Sequence, residues 1–273
     1  MRREGNRGVG NAFYIIPNLL TMANISLGFL SITMAVKGDF GKAALFILLA
    51  MLFDGFDGRV AKITNTCSRF GLEFDSLADI VSFGVAPSIL IYYFALNQHE
   101  RLGLLASWFF VLCGGLRLAR FNVQADTVQK RDFIGLPIPA AAGLLSSFVY
   151  LYESMMGGKF SGEIALLRPI LDRLSPIFFW ISWFMPVIVI SISYLMISDI
   201  RYMSPKSISW GNVNLFRFLS LSVLFLLLFS LCPPFFLFIG FIGYVVSGPA
   251  LAIRKRWLEE KIALHPLSKE RRE

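Results

Sequence analysis

The chain has 273 residues, of which 56% are hydrophobic and only 16% charged, and its mean hydropathy is +0.64. Soluble domains carry roughly 25% charged residues, so the composition excludes a water-soluble globular enzyme and indicates an all-α polytopic membrane protein. The formal net charge of +8 falls in short basic runs between apolar stretches, a placement that fits membrane orientation and an anionic lipid surface rather than nucleic acid.

In chain order, Arg2, Arg3 and Arg7 make a basic N-terminal tail over residues 1–13. The first apolar run, 14–36, carries on at spanning length, so no cleavable signal peptide is expected. It contains the polar series Asn18, Thr21, Asn24 and Ser26. A second span starts near Phe40 and runs past Asp54. A third is expected over 71–96 and a fourth over 102–121, ending in Arg117-Leu118-Ala119-Arg120-Phe121-Asn122. Residues 122–132 read as a polar loop. Gly135-Leu136-Pro137-Ile138-Pro139 opens a fifth span to about 152, since proline is tolerated at a helix start. Residues 153–175 form the least apolar long connection, with an interfacial helix at 161–174. Spans at 176–197, 215–231 and 235–253 bring the expected total to about eight, followed by a charged tail over 254–273 that starts helical. Cys67, Cys113 and Cys232 have neither metal nor redox spacing and read as small apolar fillers.

The basic residues test the orientation. With the N-terminus inside and eight spans, 20 lysines and arginines lie inside and six outside. Both termini are therefore expected in the cytoplasm. The same count puts Arg117 and Arg120 on the side of the membrane that holds the acidic stretch described next.

That stretch runs from Asp54 to Asp79. Asp54, Asp57, Asp75 and Asp79 stand at spacings of three, eighteen and four, where two apolar segments meet. On helices, Asp54 and Asp57 share one face and Asp75 and Asp79 another. Carboxylates near a bilayer core cost several kcal/mol unless paired or metal-bound, and four together need a cation. Oxygen-only ligands suit Mg²⁺ or Mn²⁺ rather than zinc. Gly55, Gly58, Ala61 and Gly71 supply a small-residue floor, and a dinuclear site beside it with basic side chains suits a diphosphate. The competing readings are a helix cap at Asp54 and Asp57 and a cation path through the membrane. The cation path predicts further acids along several spans, and the last three carry none.

Asp54-x2-Asp57-Gly58-x2-Ala61-Lys62-x8-Gly71-x3-Asp75-x3-Asp79 resembles the signature of the CDP-alcohol phosphotransferase family. It departs at Lys62, where the family has arginine; lysine keeps the charge and lacks the bidentate fork. Ile16-Pro17-Asn18-Leu19-Leu20-Thr21, the run 75–87 and the motifs at 117–122 and 135–139 make it similar to the serine-accepting branch of that family. The resemblance covers roughly residues 14–150; it implies a catalytic core over 14–154, and 155–253 would be additional transmembrane helices. It implies transfer of the phosphatidyl group from CDP-diacylglycerol to L-serine, with release of CMP. Two divalent ions, Mg²⁺ or Mn²⁺, would be held by Asp54, Asp57 and Asp75, with Asp79 as a further ligand and the general base. Gly58, Ala61, Lys62 and Gly71, with Asn18 and Thr21, would hold the CDP group. Arg117 and Arg120, one helical turn apart, would clamp the serine carboxylate, aided by Ser82, Asn122 or Arg131. Asp199 reads as an ordinary helix-end charge. A homodimer in the bacterial inner membrane, with a cytoplasm-facing site, completes the implied picture. The siblings within the family accept glycerol 3-phosphate, an inositol phosphate or choline, and the rival from another class is a divalent-cation transporter.

Overall fold

The computed structural model describes residues 7–63, 68–125, 133–156, 180–202, 230 and 232–264. Two long helices, α1 (Arg7–Val36) and α2 (Phe40–Ile63), form a hairpin around Lys37, Gly38 and Asp39. Gly38 closes α1 at φ +81°, donating its N–H to Ala35 O at 3.1 Å, the backbone shape glycine takes most cheaply at a helix end. Buried alanines at 35, 43, 44 and 50 let the two helices approach, and Ser31 Oγ donates to Ala43 O across the contact at 2.8 Å.

Helix α3 (Arg69–Asp79) starts at Ser68, whose Oγ caps Gly71 N–H at 2.9 Å. The rod continues as a π-helical turn (Ile80–Val85), α4 (Ala86–Ile91), a second π-turn (Tyr92–Leu96) and a 3-10 turn (Asn97–His99). Wide turns of this kind often sit at functional sites, and the first follows Asp79 directly. At Glu100, with φ +45°, the chain reverses into α5 (Glu100–Ala125). Gly103 packs directly on Leu96 O, and Ser88 Oγ donates to Ser107 O at 2.8 Å. The expected third and fourth spans are thus two arms of one tight helical hairpin. The second arm runs on to Ala125, into the stretch read as loop.

After that hairpin, among the described residues, the chain departs from an all-helical plan at one place. Strand β1 (Phe133–Ile134) pairs antiparallel with β2 (Arg201–Tyr202), matching Phe133 to Tyr202 and Ile134 to Arg201. Gly135 follows at φ +78°, donating to Ile200 O at 2.9 Å, while Leu136 N–H reaches Leu195 O at 3.0 Å. A Cβ on Gly135 would collide with Met196 O. This seam ties the start of α6 (Ile138–Met156) to the end of α7 (Met185–Ile197).

Helix α6 is buried almost all round, as a helix in the middle of a bundle must be. It packs on α2, α4 and the last helix, α8 (Pro233–Leu264), where Phe241 of α8 seats directly on Gly143. Cys113 and Cys232 are buried free thiols, as expected of apolar fillers. The interfacial helix at 161–174, nearly all of the span at 215–231, and Cys67 lie outside the described residues.

Among the described residues, three helical runs are long and apolar enough to cross a membrane: Ile16–Val36, Phe70–Val123 and Pro233–Arg254. Phe29, Trp108, Val187 and Val246 project from the apolar helices with more than half their surface uncovered. Unscreened aromatic and aliphatic faces of this extent are what lipid covers. The protein is an integral membrane protein.

Candidate metal centre and acceptor site

Asp54 and Asp57 lie one turn apart late in α2, and α3 brings Asp75 against them. One carboxylate oxygen from each lies within 4.8 Å of the other two. Asp57 is only 4% exposed. Asp79, one turn beyond Asp75, makes a side-chain hydrogen bond with Asp54. Two carboxyls in contact need a proton or a cation between them. Asp75 Oδ1 is buried with no hydrogen-bond partner among the described residues. An orphaned buried carboxylate oxygen in a group of acids fits a cation better than it fits protein alone. Four hard oxygen donors therefore fit a divalent ion such as Mg²⁺ or Mn²⁺.

Helix α1 lies against both α2 and α3 and reaches the cluster with two side chains. Thr21 Oγ1 lies 3.1 Å from Asp57 Oδ2 and 3.1 Å from Pro17 O. Its single proton serves one acceptor at a time. Asn24, one turn on and fully buried, points Nδ2 at Asp79 Oδ1 across 3.5 Å. Sequence reasoning noted Asn24 only as part of a polar series. Its position is set by Ser82, whose Oγ donates to the Asn24 carbonyl at 3.0 Å where the π-turn crosses α1. Gly28 makes room for that crossing, since any Cβ there would strike Ser82.

The residues expected around the CDP group fall beside this cluster. Gly58 is exposed, and a Cβ placed on it would meet nothing within 4 Å. Gly71 sits across from Asn18, whose Oδ1 would lie 3.6 Å from a Cβ at that position. Thr21 is the exception, turned toward Asp57 as above. Ala61 and Lys62 belong to the last turns of α2, and their side chains fall outside those described.

The expected acceptor residues separate. Arg117 is 8% exposed, and its Nε has no hydrogen-bond partner among the described residues. Its guanidinium lies 5.7 Å over the Phe121 ring and within electrostatic range of the Asp79 carboxylate. Arg120 turns elsewhere, pairing with Asp199 at 2.7 Å and reaching Ile197 O at 3.3 Å. Asn122 Nδ2 donates to Ser76 Oγ at 2.9 Å, fastening the end of α5 to α3 between Asp75 and Asp79. Ser82 is committed to the α1 backbone, and Arg131 lies outside the described residues. Asn24 and Ser76 are the neighbours that sequence reasoning did not bring to the site.

The model of the CDP-alcohol phosphatidyltransferase family matches residues 14–188. A Helicobacter pylori protein named CDP-diacylglycerol–serine O-phosphatidyltransferase is 40% identical over 212 residues, covering 76% of this chain and 78% of its own length. An archaetidylserine synthase of Methanothermobacter thermautotrophicus is 40% identical over 193 residues, 70% of each chain. A Mycobacterium bovis protein with the same name as the Helicobacter one is 30% identical over 269 residues, covering 96% of this chain and 85% of its own. A match over well more than half the chain, on an apolar helical bundle with the aspartates gathered at one point, decides the question: the chain belongs to the CDP-alcohol phosphatidyltransferase family.

Proposed function

We propose that the protein transfers the phosphatidyl group of CDP-diacylglycerol to the hydroxyl of L-serine and releases CMP. The observation that carries this reading is the acidic cluster of Asp54, Asp57 and Asp75, with Asp79 at its edge and the buried Arg117 beyond it. The relatives support the acceptor. The Helicobacter protein is named for transfer from CDP-diacylglycerol to serine, and the archaeal one for making archaetidylserine, so serine is common to both names.

Asp54, Asp57 and Asp75 would hold two divalent ions, which when bound supply charge neutralisation and polarisation of the phosphoryl group. Gly58 leaves open space along α2, so the diphosphate lies close to backbone there, and Gly71 with Asn18 borders the nucleotide. Lys62 offsets negative charge gathering on the departing CMP phosphate. Asp79 accepts the proton of the serine hydroxyl. The hydroxyl oxygen forms its bond to the lipid-side phosphorus, the bond from that phosphorus to the bridging oxygen breaks, and CMP leaves with the electron pair. Asn24 holds Asp79 in place, since its amide N–H donates to Oδ1 and restricts the carboxylate's rotation. Arg117 receives the serine carboxylate. In this reading residues 14–154 are the catalytic core, site and termini face the cytoplasm of a bacterial inner membrane, and two copies pair as a homodimer.

The test is CMP release by the purified protein with CDP-diacylglycerol and Mg²⁺ or Mn²⁺. Serine, glycerol 3-phosphate, inositol phosphate and choline are offered separately. Release that requires serine supports the proposal. Release with another acceptor alone keeps the family chemistry and overturns the substrate.

A further inference from the structure

Helix α1 turns three positions of one stripe toward the acidic cluster: Thr21, Asn24 and Gly28, at i, i+3 and i+7. Thr21 stands beside Asp57, and Gly28 makes room for Ser82. Asn24, between them, is fully buried. Its carbonyl accepts from Ser82 Oγ at 3.0 Å, which pins this turn of α1 against the π-turn that follows Asp79. Its Nδ2 faces Asp79 Oδ1 at 3.5 Å. Its Oδ1 is buried with no hydrogen-bond partner among the described residues. With Nδ2 turned to a carboxylate, the oxygen on the same planar amide is free to serve a donor. A buried amide oxygen left bare is costly, so this position calls for a donor that its protein neighbours do not supply.

We propose that Asn24 Oδ1 binds the ammonium of the amino-acid acceptor. The inference rests on the serine reading above, which sends the hydroxyl to Asp79 and the carboxylate to Arg117. The ammonium, with its N–H donors, has no residue assigned in that reading. Serine carries hydroxyl and ammonium on adjacent carbons, so a molecule whose hydroxyl reaches Asp79 sets its ammonium close to the same carboxylate. Asn24 lies on that scale of distance from Asp79. An amide suits the place better than another acid. A carboxylate at position 24 would add negative charge beside Asp54, Asp57, Asp75 and Asp79 and compete with them for a cation. An amide oxygen accepts from an ammonium and stays neutral. A hydroxy acid without the amine, 3-hydroxypropionate, offers the same hydroxyl and carboxylate but leaves Asn24 Oδ1 bare.

The test measures kcat/KM for serine and for 3-hydroxypropionate with the full-length protein in detergent, CDP-diacylglycerol and Mn²⁺. Wild type is expected to prefer serine by at least about tenfold, the scale of one hydrogen bond to a charged group. Asn24→Leu keeps a branched side chain and removes its polar atoms, and it is expected to lower that preference about tenfold. Asn24→Ala serves in its place if the Leu variant does not fold. Both acceptors give their hydroxyl proton to Asp79, so a disturbance of that carboxylate slows both reactions together and cancels in the ratio. Ser26→Ala, on the exposed face of α1, is the control expected to change neither value. A variant that keeps the wild-type preference, however slow, overturns the inference and leaves Asn24 as a support for Asp79. An unchanged preference with a higher metal requirement overturns it too, and turns Oδ1 toward the cation. Wild-type protein that uses 3-hydroxypropionate as well as serine overturns it without any variant. Wild-type protein that ignores serine and uses another acceptor overturns the functional reading, and this inference with it.

Discussion

Thr21 Oγ1 lies 3.1 Å from Asp57 Oδ2, so a residue of the first helix steadies a carboxylate of the second across 36 positions of sequence. Groups that orient a metal ligand tune affinity without touching the ion. Thr21→Val keeps the shape and removes the hydroxyl. The Mg²⁺ or Mn²⁺ concentration needed for half-maximal activity is expected to rise about ten- to a hundredfold, and Thr21→Ser is expected to restore most of it. A metal titration of CMP release reads this directly. If Thr21 contacts only nucleotide, KM for CDP-diacylglycerol moves instead.

The two arginines of α5 are expected to behave differently. Arg120 pairs with Asp199, whose side chain is 86% exposed, and exposed pairs contribute at most about 1 kcal/mol. Asp199→Asn should leave serine KM unchanged and shift the melting temperature in detergent by no more than a few degrees. Arg117→Met, by contrast, should raise serine KM about a hundredfold, the scale of losing a charge-assisted clamp. Initial rates at varied serine separate the two.

Gly135 tests the seam between β1, α6 and α7. Its φ of +78° disfavours any side chain, and a Cβ would meet Met196 O. Gly135→Ala is expected to cost about 1–3 kcal/mol of stability, read as a lower melting temperature, with little change in either KM of the protein that remains folded.

Metal removal should abolish activity. Chelation with EDTA is expected to bring CMP release to background, with recovery on adding Mg²⁺ or Mn²⁺ and no recovery with Na⁺ alone. In Asp57→Asn, recovery should need a higher metal concentration than in Thr21→Val, because a ligand rather than its support is lost.

The parts of this architecture readable in advance were those where chemistry is conspicuous. Four aspartates in apolar surroundings have few uses, and their spacing alone places two on each of two helices. The span at 14–36 and the helix carrying Asp54 follow from long apolar runs. Other parts leave little local trace. Nothing at Glu100 signals a reversal, because neither glycine nor proline stands at the turn itself. Two-residue strands are too short for an alternating pattern to show. Asn24 looks like any amide in an apolar helix until Asp79 is seen beside it. Arg117 and Arg120 are spaced to share a face, but Asp199, 79 residues further on, draws Arg120 away. Tyr244 is one aromatic among many on a membrane helix, and nothing in the sequence announces that its ring packs 5.7 Å from that of Tyr202.

The central claim is that Asp79 and its neighbouring carboxylates move a phosphatidyl group onto serine. The most direct measurement follows labelled L-serine into lipid while counting CMP, for wild type and for Asp79→Asn, in detergent with CDP-diacylglycerol and Mn²⁺. The account predicts one labelled phosphatidylserine formed per CMP released by the wild type. It predicts a loss of at least about a hundredfold in the variant, the share of a positioned general base, with CDP-diacylglycerol still bound. Label entering lipid at an undiminished rate in Asp79→Asn, or CMP released without labelled lipid, would contradict it.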